Sequence, residues 1–347
     1  MKENEFLFER IPAPLLLWYR QNKRDLPWRK NPTPYRVWVS EIMLQQTRVE
    51  AVKEYYLRFM QALPTVADLA YCEEEKLLKL WEGLGYYSRV RNMQKAAREI
   101  MLRFDGVFPQ SKEALTSLAG IGSYTAGAIS SIAFGNPTAA VDGNVFRVIS
   151  RLQQNQTVVS DPKYRKYLEQ ELSAVYPKDK KDCSEFTQSL FELGALVCKP
   201  QNPDCQNCPL QDICEAKKHG TQLLFPVLPE KKARRREEVF VFLIQTDEGF
   251  CIRRREKGVL KGMNEFPSHV CLYGETAESV LNEWGMYEFT IKARDKYKHI
   301  FTHIYWDITC IWVRTDSAPF DTYTLREIEE SISLPTAFKQ CIKTIRR

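Results

Sequence analysis

Four cysteines fall between positions 198 and 214 in the order Cys198-x6-Cys205-x2-Cys208-x5-Cys214, and no other stretch constrains the fold as much. Pro200, Pro203 and Pro209 keep this segment from running as a regular helix. The backbone is left to wrap four thiolate donors around one compact centre. Four cysteine ligands suit a zinc ion or an iron-sulfur cluster, and the spacing alone leaves both open. The other six of the ten cysteines are scattered, Cys72, Cys251 and Cys310 among them. That clustering fits a ligand set in a reducing compartment better than a disulfide framework, and the scattered six read as small core residues.

The 347 residues amount to about two domains, either long enough to bury a core. Hydrophobic residues make up 44% and charged residues 27%, which excludes a disordered or collagen-like chain. The apolar run Leu15–Trp18 is far too short for a membrane span, and Met1–Arg10 lacks the order of a secretory leader. A cytoplasmic protein is expected. The net charge of +6 permits a polyanionic partner without identifying one.

From Phe6 to about Glu215 the chain reads as helices, at 37–49, 73–81, 91–104, 124–134 and 164–175, with breaks at Asn31-Pro32-Thr33-Pro34, Asp105-Gly106, Gly135-Asn136-Pro137 and Asp161-Pro162. Residues 1–222 are expected to form an all-α domain. Residues 223–238, with two prolines and a basic run from Lys231 to Arg236, read as a linker. Residues 239–347 read as α+β: a strand at 239–244, a turn at Asp247-Glu248-Gly249, a returning strand at 251–255, a helix at 275–284, a β-prone stretch at 300–313 and a last helix at 337–345.

Gly120 and Gly122, in Leu118-Ala119-Gly120-Ile121-Gly122-Ser123-Tyr124, let two helical segments join through a sharp turn that presents backbone N–H groups, an arrangement suited to a phosphate. About twenty residues on, Val141-Asp142-Gly143-Asn144 sets one acid between an apolar entry and a glycine. In Ser40-Glu41-Ile42-Met43-Leu44-Gln45-Gln46-Thr47, helical spacing puts Glu41 on the face of Val37 and Leu44. Burial there raises the pKa of a carboxyl. With Asp142 it makes a carboxylate pair suited to acid and electrostatic work.

The order of hairpin, aspartate and four cysteines resembles the endonuclease III superfamily of DNA glycosylases, and within it the MutY-type adenine DNA glycosylases, from about Leu26 to the C-terminal end. The resemblance implies a helix-hairpin-helix glycosylase fold with one 4Fe-4S cluster at Cys198, Cys205, Cys208 and Cys214, followed by a Nudix-like domain. It implies excision of adenine paired with 8-oxoguanine or guanine in duplex DNA, leaving an abasic site. Glu41 is then the general acid and Asp142 the ionised stabiliser of the sugar cation, or its covalent trap. Tyr124 stands where bifunctional relatives carry a lysine, so no Schiff base can form and a monofunctional enzyme is expected, with Tyr124 and Asn144 holding Asp142 and the sugar.

The same resemblance places Arg24, Trp28, Arg29, Leu44 and Gln188 around an extruded adenine. Gln46 and Tyr86 fill the vacated space, Thr47 and Leu84 face the opposite base, and Arg89 adds a DNA-facing cation, with Gly120 and Gly122 on the phosphates. In the second domain Phe301-Thr302-His303 matches the family's Phe-Ser-His lesion reader, with threonine for serine. Asn264 stands where the family usually has tryptophan. Residues Glu275–Gly285 lack the acid-rich signature of nucleotide hydrolases, so this domain is expected to recognise and not to hydrolyse. The expected molecule is a bacterial, nucleoid-associated monomer. Two other readings compete with it. A glycosylase with lyase activity is disfavoured by Tyr124, and a noncatalytic iron-sulfur DNA-binding protein by the presence of both Glu41 and Asp142.

Overall fold

The computed structural model describes residues 7–230 and 233–346. Met1–Phe6, Lys231 and Lys232 of the expected linker, and Arg347 lie outside the described residues. The chain forms two compact units, one from residues up to Tyr71 with Arg91–Glu230, the other from Cys72–Val90 with the residues after Glu230. The units are therefore not two consecutive lengths of chain.

In chain order the helices are α1 (Pro12–Asn22), α2 (Pro34–Leu44), α3 (Val49–Ala62), α4 (Val66–Tyr71), α5 (Glu74–Trp81), α6 (Ser88–Phe104), α7 (Lys112–Thr116), α8 (Ser123–Ala128), α9 (Gly143–Gln153), α10 (Pro162–Ala174), α11 (Lys180–Leu196), α12 (Glu215–Lys218), α13 (Ala277–Glu283), α14 (Leu325–Glu330) and α15 (Thr336–Lys339). Local chemistry sets their starts. Thr33, Asp142, Asp161 and Asp179 each cap a free backbone N–H at the head of α2, α9, α10 and α11, and Pro34 and Pro162 open their helices where a missing N–H costs nothing. In the helical unit Leu15, Phe146, Ile149, Phe186, Leu190 and Leu193 pack into one core, each stabilising by roughly 1.5–3 kcal/mol when fully buried.

Two helices differ from the sequence expectation. The stretch 37–49 is not one helix: α2 ends at Leu44, Gln46 turns left-handed at φ 60°, and α3 starts at Val49. The stretch 124–134 is α8 continued by a wide π turn over Ile129–Ala133. There Gly127 comes so close to the chain at Ala139 that a Cβ would stand 2.4 Å from the Ala139 carbonyl oxygen.

The second unit is built on a seven-stranded mixed sheet with the path β3-β2-β1-β6-β5, where β4 also pairs with β1 and β7 with β2. Its strands are β1 (Arg235–Gln245), β2 (Phe250–Arg254), β3 (Asn264–Glu265), β4 (Ser268–Val270), β5 (Thr290–Ile300), β6 (Ile304–Arg314) and β7 (Asp321–Tyr323). β1 and β6 run parallel through their full lengths, and β5 and β6 form a long antiparallel hairpin. Alternation explains the apolar run at 239–244. Val239, Val241 and Leu243 face a core with Trp306 and Phe338, while Phe242 and Ile244 face another with Val280 and Leu281. The β-prone stretch at 300–313 is not a single strand: it contains the turn between β5 and β6. Five of the eleven residues of the partner strand β5 are charged, and its few apolar residues form no continuous run. The last helix begins as α15 and tightens into a 3-10 turn over Gln340–Ile345. Helix α5 belongs to this unit, with Leu77, Leu78 and Trp81 buried and the Ser333 hydroxyl donating to the Leu78 carbonyl at 3.1 Å. No helix among the described residues is long and apolar enough to cross a membrane.

Candidate active site

Ala139 and Val141 are locked in the helical core and deliver Asp142 to the head of α9. Its carboxylate accepts from the Val145 backbone N–H at 2.8 Å and from Asn144 Nδ2 at 2.7 Å. The Asn144 carbonyl in turn accepts from Arg147 Nη2 at 2.8 Å, and Arg147 also donates to the carbonyls of Gly194 (2.9 Å) and Cys198 (2.7 Å). A Cβ on Gly194 would stand 2.5 Å from that of Asn144, so α11 approaches this pair as closely as a glycine permits. Burial raises the Asp142 pKa, against hydrogen bonds from Val145 and Asn144 and the charge of Arg147 that favour its ionised form.

Glu41, on α2, is buried as its helical position implied, and it accepts a hydrogen bond from the Tyr124 hydroxyl on α8. Its carboxyl is raised to about 7, by burial first and by the Asp142 charge; the Tyr124 hydrogen bond and Arg29 pull the other way. Tyr124 itself is pushed well above the ordinary phenol range by burial and by both acids, and its ring packs 5.8 Å from that of Phe191.

Glu41, Tyr124, Asp142 and Asn144 line one cavity of about 1130 Å³ together with Arg24, Trp28, Arg29, Leu44 and Gln188. All the expected catalytic and adenine-pocket residues are thus brought together within the helical unit. The sequence reading missed Glu192, which organises the wall. It is fully buried and binds Arg24 (Nη2 2.7 Å, Nε 2.9 Å) and Arg29 (Nη2 2.9 Å, Nη1 3.1 Å). Burial would raise its pKa, but the two guanidinium groups outweigh it and hold the carboxyl at about 2. Only its position among the apolar residues of α11 hinted at this. Gln188 accepts from Tyr19 Oη at 3.1 Å and donates to Ser184, and Trp28 meets Tyr56 edge-on at 5.4 Å.

The expected DNA-contacting residues divide between the units. Gln46 and Thr47 line the cavity in the break between α2 and α3. Gly120 and Gly122 lie in the hairpin before α8, outside the cavity lining, and Gly120 (φ 72°) passes Asn92 with no room for a side chain. In the second unit Leu84 is buried, while Tyr86 is exposed at φ 48°. Arg89 stacks 5.1 Å from the Tyr86 ring. Phe301, Thr302 and His303 form the β5–β6 turn and do not alternate within a strand. The turn closes because Phe301 packs on Trp306 at 4.9 Å and its backbone N–H bonds Ile304 O at 2.8 Å. The exposed Thr302 hydroxyl lies 2.8 Å from that of Tyr86, a pairing that sequence distance concealed. Asn264 is buried and donates to Glu75 (3.3 Å) and to the Ser333 carbonyl (3.4 Å), so polar contacts fill its site.

Cys198, Cys208 and Cys214 pack against the helical core, and the four sulfurs lie within electrostatic range of one another. Among the described residues no three His, Cys, Asp or Glu side chains are placed to hold a single metal ion. Burial pushes the Cys208 thiol up to about 12 and raises those of Cys198 and Cys214, so thiolates at these three positions need a cationic centre. Polar hydrogens already face the sulfurs: Arg151 Nη1 lies 3.4 Å from Cys198 Sγ, and backbone N–H groups of Leu210 and Lys217 serve Cys208 and Cys214. The residues present fit a metal centre held by thiolates.

Comparison with known proteins agrees with this geometry. Residues 39–177 match the HhH-GPD superfamily of base excision DNA repair proteins, residues 198–214 the iron-sulfur binding domain of endonuclease III, and residues 239–344 the NUDIX domain. The chain is 30% identical over 348 residues to an adenine DNA glycosylase of Buchnera aphidicola subsp. Baizongia pistaciae, with 96% of each chain covered. It is 44% identical over 219 residues to the Homo sapiens adenine DNA glycosylase, covering 60% of this chain and 39% of that one. The chain thus spans less than half the length of this human relative, as it does of the rat protein, of which 43% is covered. Among solved structures, a thermostable thymine-DNA glycosylase superposes with a TM-score of 0.56 at 26% identity, covering 62% of this chain and 99% of that one. A non-covalent endonuclease III–DNA complex gives 0.52 at 25%, covering 62% and 98%.

Proposed function

The chain belongs to the adenine DNA glycosylase family, and we propose from this that it hydrolyses the N-glycosidic bond of adenine paired with 8-oxoguanine or guanine in duplex DNA, as a monofunctional enzyme. The observation that carries the reading is the pair of buried carboxyls, Glu41 and Asp142, in one cavity with Arg24, Trp28, Arg29 and Gln188. Adenine leaves poorly as an anion, so the bond breaks when a proton reaches the purine ring. A carboxyl held at about 7 is half protonated near neutrality and can supply it. Asp142, with two N–H donors where Glu41 has one phenol, is the better kept as an anion and faces the sugar as it becomes oxocarbenium-like. Either direct stabilisation or a covalent glycosyl ester at Asp142 fits this placement.

Glu192 fixes the Arg24 and Arg29 forks and offsets part of their charge, so the wall presents directed N–H groups while the pull of Arg29 on the Glu41 proton is reduced. Gln188 and Trp28 supply an amide and a flat apolar face suited to a purine. No amine stands at position 124, so cleavage of the strand by imine formation has no nucleophile there. The loop 198–214 holds a 4Fe-4S cluster, which supplies an anchor for the fold and for DNA rather than for hydrolysis. In the second unit Tyr86 and Thr302 act at the 8-oxoguanine, with Phe301 supporting the turn and His303 beside it. We place the protein in the cytoplasm as a monomer on DNA.

The test is a duplex carrying one adenine opposite 8-oxoguanine, scored for strand breaks with and without subsequent alkali. Breaks only after alkali are expected. Breaks without alkali would indicate a lyase, and none at all a binding protein. Asp142→Asn should still bind this duplex and release little adenine, and full activity in that variant would remove Asp142 from the mechanism.

A further inference from the structure

β5 is the edge strand of the second unit's sheet, and its residues alternate strictly in exposure. Ile291, Ala293, Asp295, Tyr297 and His299 are partly buried, while Lys292, Arg294, Lys296, Lys298 and Ile300 are exposed. Four of these five exposed residues are cations. Past the bulge between Ile291 and Ala293, the residues Arg294, Lys296 and Lys298 pair with Ile311, Thr309 and Asp307 and so share one face of the sheet. Successive members stand about 6.8 Å apart, the repeat of alternate residues in an antiparallel strand. The row leads directly to Ile300 and the turn bearing Thr302.

Acids on neighbouring elements do not cancel the row. Glu278 pairs with Arg294 at 2.5 Å, and Asp307 pairs with Arg236 from β1. Glu238 lies one strand farther away, and Asp295 points to the opposite face. Lys292, Lys296 and Lys298 have no ion pair among the described residues. Lysines on an edge strand also discourage strand addition, but that purpose does not require them to line up on the approach to one functional turn.

We infer that Lys296 and Lys298 form a ladder that contacts the phosphate backbone of duplex DNA beside the turn carrying Thr302. The inference rests on the glycosylase reading for the identity of the ligand. Contacts of this kind position a duplex without reading its sequence. They therefore add affinity for any duplex equally and leave the choice of lesion to the turn.

The experiment measures equilibrium binding of the full-length protein at a series of salt concentrations. Two duplexes are used, one with adenine opposite 8-oxoguanine and one fully paired. Two phosphate contacts account for about 1.8 in the slope of log K against log salt. The K296Q/K298Q variant should lose that slope on both duplexes and keep their affinity ratio, while K296R/K298R should retain the wild-type slope. An unchanged slope in the glutamine variant overturns the ladder and leaves the lysines as edge guards. A change in the affinity ratio with the slope intact also overturns it. If the protein releases no adenine from either duplex, the glycosylase reading fails while the slopes still report on the ladder.

Discussion

Replacing Tyr124 by phenylalanine isolates the hydrogen bond that the phenol gives to Glu41. The ring keeps its packing on Phe191, so the change is the loss of one donor to one carboxylate. That donor favours the ionised form and opposes burial and Asp142, which together hold Glu41 at about 7. A hydrogen bond to a charged group contributes about 1.5–3 kcal/mol, and one pH unit corresponds to about 1.36 kcal/mol. Tyr124→Phe should therefore raise the Glu41 pKa by about one to two units. With Glu41 as the proposed acid the protonated carboxyl is the active form, so the rate of adenine release should fall as pH rises through this pKa. In wild type only roughly one Glu41 in ten is still protonated at pH 8, whereas in the variant half or more should be. Single-turnover release across pH 5–10 reads this directly. Loss of a contact to the sugar would lower every rate by one factor without moving the alkaline limb. A limb that stays in place, or moves to lower pH, would refute the assignment of Glu41 as the acid and of Tyr124 as the group that tunes it.

Three further outcomes follow from the same site. The folded-state pKa of Glu41 is raised from 4.5 to about 7, so its contribution to stability is present below 4.5 and lost as pH rises to 7. Glu41→Gln should accordingly be more stable than wild type by about 3 kcal/mol at pH 8 and level with it near pH 4.5, and urea unfolding at the two pH values checks the crossover. Glu192→Gln leaves Arg24 and Arg29 facing an uncharged amide, which should cost about 3–5 kcal/mol at neutral pH. Because Glu192 is depressed to about 2, that cost should shrink as pH falls from 4.5 towards 2. The freed field of Arg29 should also move the alkaline limb of the release rate downward, opposite to Tyr124→Phe. Gly194→Ala forces a methyl against Asn144 and should cost about 1–3 kcal/mol, with adenine release falling further than the stability loss explains, which comparison at a temperature where both proteins are folded can test.

The candidate site groups were legible because each announces itself locally. Glu41 interrupts an apolar stripe, Asp142 stands before a glycine at a helix start, and four cysteines crowd one loop. Glu192 escaped notice because one acid within α11 looks like any helix surface residue, and only the fold brings Arg24 and Arg29 to it from more than 160 positions away. The β5–β6 hairpin was half visible. β6 contributes apolar residues to both faces of the sheet and reads as an apolar stretch, whereas β5 at the sheet edge alternates exposed cations with half-buried residues. The break at Gln46 was hidden for another reason: the cost of a left-handed glutamine, roughly 1–2 kcal/mol, is borne by the surrounding fold, and no glycine or proline marks the place.

The membership of Cys72–Val90 in the second unit has a consequence for synthesis of the chain. This segment leaves the ribosome early, but Ser333, whose hydroxyl bonds the Leu78 carbonyl, follows 255 residues later. At roughly 5–20 residues per second, α5 waits on the order of ten seconds or more before its place in the second unit can be completed. A gene cut at the linker would yield an N-terminal fragment that carries Cys72–Val90 without the rest of its unit.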